Sequence, residues 1–120
     1  MAKDLSISYL LDFYGQMLTD KQREVTEFYY NDDLSLAEIA DHCHITRQGV
    51  RDSIKRAEAQ LREYEEKLGL AQRFVEIQAG LDEIPRCAQD ISIYNDKFLG
   101  SAEVEKRTAR ICELASQLND

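Results

Sequence analysis

Ser35-Leu36-Ala37-Glu38-Ile39-Ala40-Asp41-His42-Cys43-His44-Ile45-Thr46-Arg47-Gln48-Gly49-Val50-Arg51-Asp52-Ser53-Ile54-Lys55-Arg56 contains two helix-start signals separated by one tight turn. Ser35 and Glu38 spell a capping box, in which a hydroxyl and a carboxylate satisfy free N–H groups at a helix start. Thr46 is a suitable N-cap for a second helix, and its hydroxyl is also a partner for a phosphate oxygen. Ile39, Ala40, Ile45, Val50 and Ile54 supply apolar contacts between the two helices, with small Ala40 at their crossing. The pattern is a helix-turn-helix, which presents its second helix to a DNA major groove. Such turns usually carry Gly where this chain has His44, because the position requires positive φ. Histidine tolerates that conformation better than branched residues do, so the turn is expected to form with some strain.

Outward from this stretch the chain reads as helix throughout. It has 120 residues with one Pro and five Gly, a composition that favours long helices over a turn-rich β fold. Tyr9, Leu10, Phe13 and Met17 share one face of a first helix expected over about residues 6–16. Thr19 and Gln22 repeat the capping-box pattern, with Leu18 placed as a hydrophobic staple, and open a second helix carrying Val25, Phe28 and Tyr29 inward. That helix is expected to stop at Asn31-Asp32-Asp33.

The helix that Thr46 opens continues well past the length needed for groove reading. Val50, Ile54, Ala57, Leu61, Tyr64 and Leu68 recur at the alternating four- and three-residue spacing of a heptad seam. A helix from Thr46 to Leu68 is about 34 Å long at 1.5 Å per residue. Gly69 suits its C-cap. A fifth helix is expected from Leu70, with Leu70, Phe74, Ile77, Leu81 and Ile84 as its seam and Pro85 ending or kinking it. Residues 91–100 read as irregular. Ser101 then caps a last helix, with Glu103 and Glu105 near its positive end and Val104, Thr108, Ile111, Ala115 and Leu118 as its seam. The expected organisation is a head over residues 1–68 and a helical extension over 69–120. The extension, with the overhang of the fourth helix, offers either a hairpin or a dimer surface. A homodimer is preferred, since three seams exceed what one small head can cover.

The net charge of −8 is unusual for a chain that lives on DNA backbone, where phosphate neutralisation supplies most non-specific affinity. The acidity is not uniform. Arg47, Arg51, Lys55 and Arg56 face only Asp52 within residues 46–56, a local excess of +3, before Glu63, Glu65 and Glu66 reverse the sign. One reading assigns Gln48 and Arg51 to base edges and lets Asp52 orient Arg51 or accept from cytosine. Thr46, Arg47, Lys55 and Arg56 then hold phosphates. The other reading is a solvated helix face with pairs four residues apart, such as Asp52 with Arg56. His42, Cys43 and His44 are adjacent in a tight turn and cannot all aim at one ion, so no metal site is expected. The aromatic set on the first two helices reads as core and rim rather than a stacking surface for RNA. No phosphate-binding loop, dinucleotide fingerprint or nucleophile elbow is present, and neither enzyme activity nor a cofactor is expected.

Leu18-Thr19-Asp20-Lys21-Gln22-Arg23-Glu24-Val25, Leu34-Ser35-Leu36-Ala37-Glu38-Ile39-Ala40 and Ile45-Thr46-Arg47-Gln48-Gly49-Val50-Arg51-Asp52 resemble the DNA-binding region 4 of bacterial sigma factors. With Tyr9-Leu10-Leu11-Asp12-Phe13-Tyr14, Asn31-Asp32-Asp33 and Tyr64-Glu65-Glu66-Lys67-Leu68 added, the chain is similar over about residues 5–70 to the YlxM family of small bacterial helix-turn-helix proteins. The resemblance implies a sigma-region-4-like helix-turn-helix head; with the helical periodicity read above, the expected fold is all-α, that head carrying a long fourth helix and a C-terminal helical extension. It further implies a regulatory role linked to the signal recognition particle pathway, because genes of this family lie beside those of the particle's GTPases. DNA is then the expected partner, with protein or RNA components of the particle as the alternative. The three cysteines at irregular spacing, the lack of an apolar spanning run and the lack of a signal-peptide core favour a cytoplasmic setting.

Overall fold

The computed structural model describes residues 2–119. Six α-helices follow one another: α1 Leu5–Tyr14, α2 Asp20–Tyr30, α3 Leu36–Cys43, α4 Arg47–Leu68, α5 Leu70–Tyr94 and α6 Ala102–Asn119. There is no strand among the described residues. The chain divides into two units, residues 1–72 and 73–120.

In the first unit every helix start is capped by a side chain chosen for it. Asp4 accepts from the Ser6 N–H ahead of α1. Thr19 with Gln22 and Ser35 with Glu38 form complete capping boxes ahead of α2 and α3. Thr46 Oγ1 accepts from the Gly49 N–H at 2.9 Å ahead of α4. His44 closes α3 in the left-handed region, at φ 58° and ψ 42°. Its own N–H and that of Ile45 both reach the Ala40 carbonyl, so the turn satisfies an otherwise free acceptor twice over.

α4 is the rod on which the unit is assembled. Val50 and Ile54 pack with Val25, Tyr29, Ile39 and Ala40, which joins α2, α3 and α4 into the helix-turn-helix core. Farther along, Ala57 and Leu61 pack with Ile7, Leu10, Leu11, Tyr14 and Leu18. Full burial of an Ile, Leu or Val side chain contributes about 1.5–3 kcal/mol, so these two clusters supply most of the drive to fold the unit. The overhang of α4 is therefore covered by α1 within the same head, not left for the C-terminal helices to cover. The face of α1 is also turned by one position from the expected one: Ile7, Leu10, Leu11 and Tyr14 are buried while Met17 is half exposed. Leu18 packs into this cluster rather than serving only its own helix start.

The second unit is a hairpin of α5 and α6. Pro85 lies inside α5 and does not end it; the helix runs on to Tyr94. A π-helical turn over Asn95–Leu99 follows, so residues 91–99 are helical rather than irregular. Pro85 removes one backbone donor; it is partly buried, and the Cys112 thiol on α6 lies 3.9 Å from its carbonyl. Asn95 closes the hairpin. Its side chain is buried, donates to the Ser101 carbonyl at 2.9 Å and accepts from the Ser101 N–H at 2.9 Å. Ser101 in turn caps α6 by accepting from the Val104 N–H. In the first arm of this unit the residues that turn inward are Gln78, Leu81, Pro85, Ala88 and Ser92 of α5 and Asn95 of the π-helical turn. Phe74, Ile77 and Ile84, expected in its seam, are about half exposed.

Candidate nucleic-acid interface

The first three turns of α4 form the site. Their buried side is fixed by Val50 and Ile54, both fully enclosed, so the opposite side must face solvent. Arg47, Gln48, Arg51, Asp52, Lys55 and Arg56 are all exposed there, and Thr46 is exposed at the helix start. Thr46 uses its oxygen as the acceptor for Gly49, which leaves the hydroxyl proton free to donate outward. Gly49 has a local reason: a Cβ at this position would lie 3.1 Å from Thr46 Oγ1 and crowd the cap.

Two shallow grooves flank this surface. Along one, Arg47, Gln48 and Arg51 face Ser35, Leu36 and Ala37 at the start of α3. Along the other, Gly49, Asp52, Ser53 and Arg56 face Thr19, Lys21 and Gln22 at the start of α2. The N-terminal ends of two neighbouring helices therefore border the exposed face of a third. Each such end carries a partial positive charge and N–H groups beyond those the cap uses. The capping boxes were legible in the sequence, but that they border α4, and that Lys21 joins the site, depends on how the helices cross.

Electrostatics set this patch apart from the rest of the unit. Lys3, Arg23, Arg62 and Lys67 each have a carboxylate within ion-pair distance. Lys21, Arg47, Arg51, Lys55 and Arg56 have none among the described residues, and all five lie on or beside the exposed face of α4. Within the face a side-chain bond joins a neutral and an acidic group: Gln48 Nε2 donates to Asp52 Oδ1 at 3.0 Å. Asp52 thus holds the Gln48 amide, where a pairing with Arg51 or Arg56 was expected. His42 and Cys43 are occupied elsewhere. His42 sits edge-on to Phe28 at 4.7 Å, and burial, with Glu24 nearby, pushes the Cys43 thiol up.

The fold and this face define a helix-turn-helix protein whose second helix is long, capped and cationic on its solvent side. The chain belongs to the YlxM / p13-like helix-turn-helix family, which it matches over residues 1–97. It is 54% identical over 82 residues to a UPF0122 protein of Thermoanaerobacter sp. (strain X514), covering 68% of this chain and 70% of that one. It is 47% identical over 107 residues to a UPF0122 protein of Acetivibrio thermocellus, covering 89% of this chain and 91% of that one. A UPF0122 protein of Bacillus cereus (strain AH187) is 54% identical over 78 residues, or 65% of this chain and 71% of its own. No described helix is long and apolar enough to cross a membrane.

Proposed function

We propose that this protein is a non-catalytic, cytoplasmic regulator that binds duplex DNA through α4. The observation that carries the reading is the segregation of cations: the five in the first unit without a carboxylate partner among the described residues all lie on or beside one helix face. A surface selected only for solubility gains nothing by leaving those five unpaired while pairing the other four. In this reading Gln48 and Arg51 meet base edges, Asp52 holds Gln48 in place, and Thr46, Arg47, Lys55 and Arg56 meet phosphates. The first-turn N–H groups of α3 and Lys21 beside α2 add phosphate contacts on the two flanks. Net acidity elsewhere repels non-specific polyanions and confines binding to this face. Two copies of α4, as a homodimer supplies, reach successive major-groove turns when they are about 34 Å apart.

A fluorescence-anisotropy titration with sheared duplex DNA, at low and at physiological salt, tests the reading against the Arg51→Ala/Lys55→Ala double variant. Saturable binding that the folded variant loses supports it. The signal recognition particle pathway enters through the family resemblance and through no feature of the α4 face, so the particle's RNA serves as the competing ligand in the same titration. Binding to that RNA alone, or duplex binding indifferent to the double variant, overturns the DNA reading.

A further inference from the structure

α5 carries two seams, and α6 covers only one. The covered seam is the line through Leu81, Ala88 and Asn95. The second is displaced by a single residue: Ile77, Gly80, Ile84, Cys87 and Ile91 recur at alternating three- and four-residue spacing, without a charge. Such spacing keeps one stripe of a helix facing a partner along its whole length. Ile77, Ile84 and Ile91 are 47%, 50% and 50% exposed, and a Cβ at Gly80 would meet nothing within 4 Å. α6 adds Val104, Ile111 and Leu118 at seven-residue spacing. Ile111 lines the same apolar groove as Gly80, Ile84, Cys87 and Ile91, so the stripes of both helices open on one side of the hairpin. An exposed apolar patch of this extent marks an interaction surface.

We propose that this face packs against the same face of a second copy, forming a four-helix bundle in which α5 of each protomer lies beside α6 of the other. Charge selects both the occupant and the arrangement. The outer edge of the α5 stripe is acidic, with Glu76, Glu83 and Asp90, whereas the outer edge of the α6 stripe carries Arg107 and Arg110 against the single acid Glu103. Setting α5 beside its own copy opposes acid to acid; setting it beside α6 of the second copy opposes acid to base. Within the hairpin Ser92 bonds Glu105 and Pro85 lies beside Cys112. That register brings Asp90 level with Arg107, and a two-fold axis along the bundle keeps the two level across the interface. Arg107 and Arg110 now pair with Glu103 and Glu113 on their own helix, but these pairs are solvent-exposed and exchange at little cost.

The test is sedimentation equilibrium of the full chain at micromolar concentration. The wild type is expected at twice 13.9 kDa. Ile84→Glu/Ile91→Glu is expected to raise the dimer dissociation constant by about 100-fold or more, because it places carboxylates in an apolar seam, with helix content by circular dichroism unchanged. Asp90→Arg and Arg107→Asp are each expected to weaken the dimer by about tenfold, and their combination to restore it. The charge-reversal series leaves the seam intact, so it remains informative if the glutamate variant fails to fold. A monomeric wild type overturns the proposal and assigns the face to a different partner. A dimer whose constant is unmoved by the glutamates places the interface elsewhere. Failure of the double reversal to restore binding overturns the pairing of α5 with α6. None of these outcomes depends on whether α4 binds DNA.

Discussion

His44 shows how a single residue can be read correctly for its strain before its geometry is known. The turn between α3 and α4 needs one residue in the left-handed region, and His44 takes it at φ 58°. A side chain there costs about 1–2 kcal/mol relative to glycine, partly returned because glycine is freer in the unfolded chain. His44→Gly is therefore expected to stabilise the protein by about 0.5–1 kcal/mol, measured as a shift in urea midpoint at constant m-value. Thr26 carries the opposite lesson. It is fully enclosed in α2, and its hydroxyl has no hydrogen-bond partner among the described residues. No sequence pattern marks it, since threonine is ordinary on a helix surface. Thr26→Val removes the unmet hydroxyl at constant shape and is expected to stabilise by about 1 kcal/mol in the same assay.

At the scale of elements, most starts and stops are written locally, while the choice of inward face is not. The capping residues Thr19, Ser35, Thr46 and Ser101 were all legible, because a cap needs only a side chain and the backbone a few residues ahead. The inward faces of α1 and α5 were read one position or more away from the true ones. Both helices are apolar on more than one side, and only the neighbouring helix decides which side is used. The start of α5 is held by residues distant in sequence. Glu65 accepts from the Ala71 and Gln72 N–H groups at 3.0 and 2.9 Å, and the Tyr14 hydroxyl donates to Glu65 at 2.6 Å while accepting from the Leu70 N–H. These bonds, that from Tyr14 foremost, hold the Glu65 carboxyl below the usual glutamate range. A carboxylate with a lowered folded pKa stabilises the fold above its unfolded value, near 4.3, and that contribution is lost as pH falls through the folded value. Glu65→Gln is thus expected to destabilise at pH 7 and to differ little from wild type once both pKa values lie above the working pH. Urea unfolding of both proteins across an acid series measures the difference.

For the whole molecule, net charge and local charge point in opposite directions, and salt dependence separates them. With the four cations Lys21, Arg47, Lys55 and Arg56 on phosphates, log affinity is expected to fall against log salt with a slope of about −4, a loss of about two orders of magnitude between 50 and 200 mM. A titration of duplex affinity against sodium chloride measures it, and Arg51→Ala/Lys55→Ala should make the slope shallower by about one, because only Lys55 of the two meets a phosphate. The α-class, the helix-turn-helix, its caps and the cationic run on α4 follow from the sequence alone, because each rests on interactions within a few residues of chain. Tertiary structure decided what no local rule reaches. It determined that α1 covers the overhang of α4, that Pro85 is carried inside a continuous helix, and that the starts of α2 and α3 border the α4 face. It also left one of two equivalent seams on α5 open. A helix with two apolar stripes satisfies the same periodicity whichever it buries, and only the packed neighbour breaks the tie.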